Sequence, residues 1–324
     1  MKNHRHLVTF CDGNYVAKCV AMYHSLVDHH RNFTLYVFCF DEVSFAVLQN
    51  LKLPHIIPVS LSEFEDPVLK KTKSKKQKYY EYYWAYKPYL VLFVMDRYTA
   101  DLVTYIDCDF MFFASPEPIF EEMEDADVLI QPNNFSYEEM EQFVPVGYYC
   151  SCFESFRNNK NGRTVLNWWY NQCVKWCFAS FEKGKFADQK YLDDWRSRFK
   201  NVKEITLIGA NLAPWNQHKY DISLKDRNIL VNKQPLIYYH YHSFKMNFVN
   251  YSYLITGDRE NFYTVSKNLI RYVYTPYIRL LKKVLQKLNT IDEFSLYAQS
   301  NPDGEVKLIE GKTKLSFSSF KEKK

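Results

Sequence analysis

The chain has 324 residues, 47% of them hydrophobic and 24% charged, enough apolar material for one large packed domain and too much for a disordered chain. Its net charge of +5 is mild over this length and gives no reason to expect nucleic acid as a partner. Eight cysteines stand mostly singly in apolar runs, no secretory signal opens the sequence, and no stretch approaches the ~18 apolar residues of a membrane span, so a reduced, cytoplasmic protein is expected.

HLVTFC (6–11) reads as a first strand, DGN as a turn, and residues 15–29 carry helical spacing through Val16, Val20, Tyr23 and Val27. FTLYVFCF (33–40) is a second strand. Asp41 is placed to cap a helix over 41–51, and HIIPVS (55–60) is a short third strand. The run KKTKSKKQK (70–78), with six lysines and no acid, reads as a solvated loop. Residues 79–96 have helical character, with Pro88 expected to break or kink the helix. LVTYIDCDFMFF (102–113) is the fourth strand.

The second half alternates less regularly. ADVLIQP (126–132) and GYYCSCF (147–153) read as strands, 161–178 as an amphipathic helix, 188–195 as a helix start, and LIYYHYHSF (236–244) as a late strand. Thr275-Pro276 marks the expected end of one helix and start of the next. Beyond it, Leu280, Leu281, Val284, Leu285 and Leu288 form an apolar stripe flanked by Lys and Arg. That stripe either packs on the core or lies at a membrane surface. With eight glycines there is no GxGxxG and no GxxxxGK[ST], which weighs against a nucleotide-binding dehydrogenase or a P-loop enzyme.

A β-α-β-α-β order predicts an α/β fold with a mostly parallel sheet whose ligands sit beyond the carboxyl ends of the strands. Asp12 and Asp107 then fall on one rim. Asp107 and Asp109 share one side of the strand if extended geometry continues past Ile106. Two unpaired carboxylates beside an apolar run repel each other and are costly to desolvate; a hard cation such as Mg²⁺ or Mn²⁺ removes that cost. The alternative is that they cap a turn at the strand end. His240 and His242, again two apart, are further candidate ligands. Four thiolates from CSC (150–152) and Cys173/Cys177 lack the C-x2-C spacing of zinc sites and read as core thiols. Asp188 also fits a plain helix N-cap.

Taken in order, VTFCDGNY (8–15), VTYIDCDFMFFASPEPIFEE (103–122), GKFADQKYLDDW (184–195), GANLAPWN (209–216) and YHYHSF (239–244) resemble the motifs of a GT-A fold glycosyltransferase, especially family 8 and its bacterial relatives. The resemblance covers about residues 5–245. It implies a GT-A type, mostly parallel mixed sheet flanked by helices. A catalytic domain is expected over 1–259, with a nucleotide-binding half to about 113 and an acceptor half from 114, and a basic helical tail as an appendage over 260–324.

It also implies roles. Thr9, Asp12, Asn14 and Tyr15 would hold the base and ribose of a uridine diphosphate sugar, with Lys87 and Cys108 beside them. Asp107, Asp109 and one of His240 and His242 would bind Mn²⁺ or Mg²⁺. Asp188 and Gln189 would flank the anomeric carbon. Gly147, Asn211, Trp215, Asn216 and Lys245 would meet sugar or acceptor. The implied partners are a nucleotide-sugar donor and a glycan or lipid-linked acceptor hydroxyl, and transfer with retention of configuration is implied; if the stripe of the basic tail helix lies at a membrane surface and not on the core, peripheral membrane contact brings the enzyme to a lipid-linked acceptor. Two departures stand out: Pro145 replaces the asparagine that often precedes the matching glycine, and the Lys-Pro-Trp that follows the last histidine is reduced to Lys245. A haloacid dehalogenase-type phosphatase also uses D-x-D after a strand, but Phe110 and Met111 stand where its next motif residue belongs. A sugar-nucleotide binder without turnover is the third reading.

Overall fold

The computed structural model describes residues 4–135, 145–255 and 265–303. The boundary expected at 259/260 and the end of the tail, 304–324, lie outside the described residues.

The strands are β1 (Arg5–Cys11), β2 (Phe33–Cys39), β3 (Ile56–Ser60), β4 (Leu102–Ile106), β5 (Phe110–Phe112), β6 (Val128–Pro132), β7 (Tyr149–Arg157), β8 (Val202–Glu204), a small meander β9 (Ile222–Lys225), β10 (Asn228–Val231) and β11 (Gln234–Pro235), and β12 (Tyr238–His240). The main sheet runs β3-β2-β1-β4-β7-β6-β8. β1 pairs in parallel with β2 and β4, β2 with β3 and β6 with β8; β7 runs antiparallel to both of its neighbours. The sheet is mostly parallel and mixed, a GT-A fold. Because β7 is reversed, its first residues meet the carboxyl ends of β1 and β4 on one rim.

Helices α1 (Val16–His29) and α2 (Glu42–Leu51) follow β1 and β2 as expected. Asp41 caps α2 by accepting from Ser44 N at 2.8 Å. α3 (Tyr79–Tyr98) continues unbroken through Pro88. α4 (Glu117–Met123) and α5 (Lys160–Lys175) complete the flanking layer. Two cores form, one on each face of the sheet. One joins β4 and β7 to α3 and α5. The other joins α1 to the late strands and the C-terminal helices.

Two sequence expectations are corrected. The lysine run is largely ordered: Asp66 caps a helix at Pro67–Thr72, and a 3-10 turn follows at Lys73–Lys75. Pro67 at the helix start suits a position whose N–H has no helical partner. At Thr275-Pro276 an α-helix starts with Pro in its first turn, as expected, but the preceding helical segment does not end there. A π-helical turn, Ile270–Tyr274, runs directly into α6 (Thr275–Leu288), and the Thr275 hydroxyl donates to Ile270 O at 2.7 Å.

The C-terminal helices follow the sheet, as expected, and pack against it through α1. Leu281, Val284, Leu285 and Leu288 are buried in the core beside α1, while Arg279, Lys282, Lys283 and Lys287 face solvent. Of the two fates open to the stripe, core or membrane surface, it takes the core, because α1 offers it an apolar surface. α6 presents only its basic face outward. No helix among the described residues is long and apolar enough to cross a membrane.

Candidate functional site

β4 ends at Ile106, and Cys108 and Asp109 form a turn. The extended geometry expected past Ile106 stops there. β5 leaves the main sheet and pairs antiparallel with β12, placing His240 opposite Phe110. Asp107 N donates to Cys152 O, and Tyr241 N donates to Asp109 O, both at 2.9 Å. The D-x-D segment is thus a hinge between two sheets, fixed by backbone bonds on both sides. It brings His240 Nε2 to 3.1 Å from Asp109 and 3.9 Å from Asp107. One ligand atom from each of these three residues lies within 4.8 Å of the others.

Burial works to raise the Asp109 pKa, but the cations of His240 and Lys18 hold it well below the usual carboxylate range. Burial likewise opposes a charge on His240, and the Asp109 carboxylate outweighs it, lifting the imidazole to about 10. A proton on His240 compensates Asp109 where a divalent cation otherwise could. His242 does not join this cluster. It is exposed at the cleft mouth, its ring 5.7 Å from that of His240.

Lys87 rises from α3 to the same point. Its buried ammonium lies 3.5 Å from Asp107 and 3.3 Å from Asp188, and it donates to the Ser151 carbonyl and, at 3.1 Å, to the Ser151 hydroxyl. Burial disfavours its charge, yet Asp107, Asp188 and Glu154 together raise its pKa. Asp188 is no helix cap: its carboxylate makes no capping bond and accepts from Ser151 Oγ at 2.6 Å. Ala187, left-handed at φ 49, turns the chain inward just before it. Burial pushes the Asp188 carboxyl up, against the pull of Lys87 and Ser151. Gln189 lines the cleft and donates to Val146 O at 2.8 Å.

The cleft that collects these groups encloses about 540 Å³. Asp12, Tyr15, Lys87, Cys108, Trp215 and Lys245 also line it. Asp12 accepts from the N–H groups of Asn14 and Tyr15, so its carboxylate shapes the loop. Trp215 stands edge-on to His240 at 5.4 Å and donates to Asn133 O at 2.8 Å.

The other expected site residues are not on the cleft lining. Thr9 is buried inside β1, its hydroxyl without a hydrogen bond. Asn14 accepts from Tyr297 Oη at 2.7 Å, and Gly13 admits that ring because a Cβ there would meet it at 2.8 Å. Asn216 binds Asn133 O and Asn211 O, which makes this pair a brace for the 211–217 loop. Gly147 has φ +123, and its carbonyl accepts from Asn133 Nδ2.

Sequence reasoning missed several cleft residues. Tyr105 donates to Asp107 at 2.6 Å, and its place two residues upstream on one strand was a readable signal. Ser151 carried none, since nothing local shows that β7 lies beside β4. Tyr79, Tyr80, Tyr83 and Trp84, the first two turns of α3, form an aromatic wall. Their helical spacing was visible, but not the direction they face.

A family profile described as nucleotide-diphospho-sugar transferase matches residues 29–278. The chain belongs to the nucleotide-diphospho-sugar transferase family. This transferase is 30% identical over 292 residues to YfnD of Bacillus subtilis (strain 168), an uncharacterised protein, covering 88% of this chain and 91% of that one. YfnF of the same strain, also uncharacterised, is 31% identical over 293 residues, with 88% and 94% covered. Among solved structures, the transferase shares its fold with the galactosyltransferase LgtC, solved with donor and acceptor sugar analogues, at a TM-score of 0.51 and 14% identity, covering 86% of this chain and 95% of that one. It also shares it with the apo-form glycosyltransferase GlyE of Streptococcus pneumoniae TIGR4, at 0.51 and 15%, covering 90% and 64%.

Proposed function

We propose that this transferase is a metal-dependent hexosyltransferase that takes its sugar from a uridine diphosphate donor and passes it, with retention of configuration, to a hydroxyl of a glycan or lipid-linked acceptor. The observation that carries this reading is the convergence of Asp107, Asp109 and His240 on one rim of a cleft that also holds Lys87 and Asp188. Family membership supports the donor class.

The donor set fits a hard or borderline divalent cation, with carboxylate oxygens and one imidazole preassembled at 3.1 Å. Asp107, Asp109 and His240 Nε2 would hold Mn²⁺ or Mg²⁺. When bound, the cation supplies Lewis-acid neutralisation of the departing diphosphate. Lys87 stays protonated and adds a second fixed positive charge beside it. Asp188, committed to Lys87 and Ser151, is braced to orient sugar hydroxyls, and Gln189 stands next to it on the cleft wall. Tyr15 on one side, and the wall of Tyr79, Tyr80, Tyr83 and Trp84, offer flat apolar faces to a base and to sugar rings. With the α6 stripe buried, an acceptor held on a membrane is met by a basic surface and not by an inserted helix.

A thermal-shift panel of nucleotide sugars, run with Mn²⁺ and with chelator, tests the reading. A uridine diphosphate hexose should raise the melting temperature with Mn²⁺ and lose most of that gain with chelator. A shift indifferent to chelator removes the metal from the account. Silence across the whole panel, with phosphate released from simple esters, removes the transferase chemistry in favour of a phosphatase.

A further inference from the structure

The strand that supplies Ser151 to the cleft carries two thiols with no part in the chemistry above. Side chains alternate along β7, so Cys150 and Cys152 share the face opposite Ser151. Both are buried free thiols in the core under the D-x-D hinge, and Cys150 also reaches the cleft lining. With His240 they form a second constellation, one ligand atom from each lying within 4.8 Å of the others. His240 therefore belongs to two clusters. Its Nε2 faces Asp109 at 3.1 Å. Its Nδ1 is buried and meets no well-aligned donor or acceptor, while the ring lies against the Cys150 thiol and each shifts the other's pKa. A buried ring nitrogen without a well-aligned partner is costly, and a metal ion is one of the few things that satisfies it beside sulfur.

We propose that Cys150, Cys152 and His240 form a soft-metal site, fitted to Zn²⁺, that competes with the carboxylate cluster for the same imidazole. Two thiolates and an imidazole are the ligands zinc selects, whereas two carboxylates and an imidazole suit Mn²⁺ or Mg²⁺. Zn–S bonds of about 2.3 Å and a Zn–N bond of about 2.0 Å set tetrahedral ligand atoms roughly 3.3–3.8 Å apart, so closing from the present limit needs shifts of about 1 Å. On binding, each thiol and the His240 imidazolium release a proton to solvent, and the freed lone pairs of two sulfurs and one ring nitrogen form the bonds to zinc; three protons leave, one dication enters, and no oxidant is needed. The opposition between the clusters follows from the ring. A neutral imidazole gives a lone pair from one nitrogen only, so serving an ion on each side requires an imidazolate. Zn²⁺ at the thiols thus withdraws His240 from Asp107 and Asp109 and acts as an inhibitor. This consequence rests on the proposed cation role of those carboxylates; the site itself does not.

The experiment uses Co²⁺ as a coloured stand-in for Zn²⁺, added to the reduced full chain without nucleotide. The expected result is sulfur-to-cobalt charge-transfer absorption with intense tetrahedral visible bands at one ion per chain, both erased by Zn²⁺. The signal should vanish in Cys152→Ala, Cys150→Ala and His240→Ala, and persist in Asp109→Asn. Only the weak visible absorption of an octahedral oxygen site in the wild-type protein overturns the proposal, whatever the variants do. So does a signal that survives Cys152→Ala, which would belong to other thiols such as Cys173 and Cys177. In turnover assays with Mn²⁺, Zn²⁺ should inhibit the wild-type protein at concentrations at least about tenfold below those needed for Cys152→Ala, the loss expected for one missing thiolate. Failure of turnover alone would count against the transferase reading, while the cobalt spectrum still decides for or against the thiol site.

Discussion

At the Lys87 end of the cleft the charges are matched within the chain, while at the hinge between β4 and β5 they are left short. Lys87 is buried among Ser151, Asp188 and Asp107, and each of its hydrogens has a partner in reach. At the hinge, Asp107 and Asp109 face one imidazole, and Asp107 is the more exposed of the two acids. The first arrangement tolerates no deletion, because removing one charge strands its partners away from water. The second gains from an addition, because a dication would satisfy both acids and free the proton on His240. Two acidic clusters a few ångströms apart therefore call for opposite treatment: one supports the fold, and the other, under the proposed function, would take a cation.

The hinge should give the largest effect on chemistry. Asp109→Ala should lower Mn²⁺-dependent release of uridine diphosphate by at least about 10³-fold, and it also takes from His240 the carboxylate that holds its proton. Comparable activity in that variant would erase the distinction between the two ends.

Lys87→Met should do the reverse and damage the fold. Stranding Asp188 should cost about 3–5 kcal/mol in urea unfolding, and Lys87→Met with Asp188→Asn should recover a good part of it. A purely additive double mutant would show that the two groups do not act as a pair.

Glu154 sharpens the picture with pH. It is fully buried, its Oε2 lacks a partner, and burial raises its pKa well above the ordinary range, although Lys87 works against the rise. Between the unfolded and folded pKa values the native state binds the extra proton, so stability falls as pH rises through that window. Glu154→Gln should flatten the fall, adding about 1 kcal/mol or more at the alkaline side and little at pH near 4. Parallel wild-type and variant curves would mean that Glu154 titrates normally.

The smallest effect lies at the donor loop. Tyr297→Phe removes the hydroxyl that holds Asn14 and should cost about 1 kcal/mol of stability at most. If the C-terminal helix α7 (Asp292–Ser300) positions that loop, the variant should raise the KM for the donor a few-fold and spare kcat. An equal change in both would assign Tyr297 to the chemistry instead.

Much of the N-terminal half was legible because its signals are local. β1, α1, β2 and α2 follow from alternation, helical spacing and one capping aspartate, and parallel β-α-β units allow few topologies. The hinge was half legible. D-x-D announced paired acids, but the break after Ile106 depends on β5 finding β12, more than a hundred residues later. A break at Pro88 or before Thr275-Pro276 did not occur for a related reason, since packing on both sides can carry a helix through a residue that would end it in isolation.

By itself, the sequence determined which faces are apolar, where acids and histidines cluster, and the order of the α/β units, because each is written in the spacing of neighbouring residues. Only the tertiary structure decided that His240 and not His242 meets Asp109, that Ser151 and Lys87 brace Asp188, and that the α6 stripe packs inward on α1. Those choices turn on which strand lies beside which, above all on β7 entering reversed between β4 and β6. Such pairings are settled by burial summed over the whole core, which no single stretch of sequence carries.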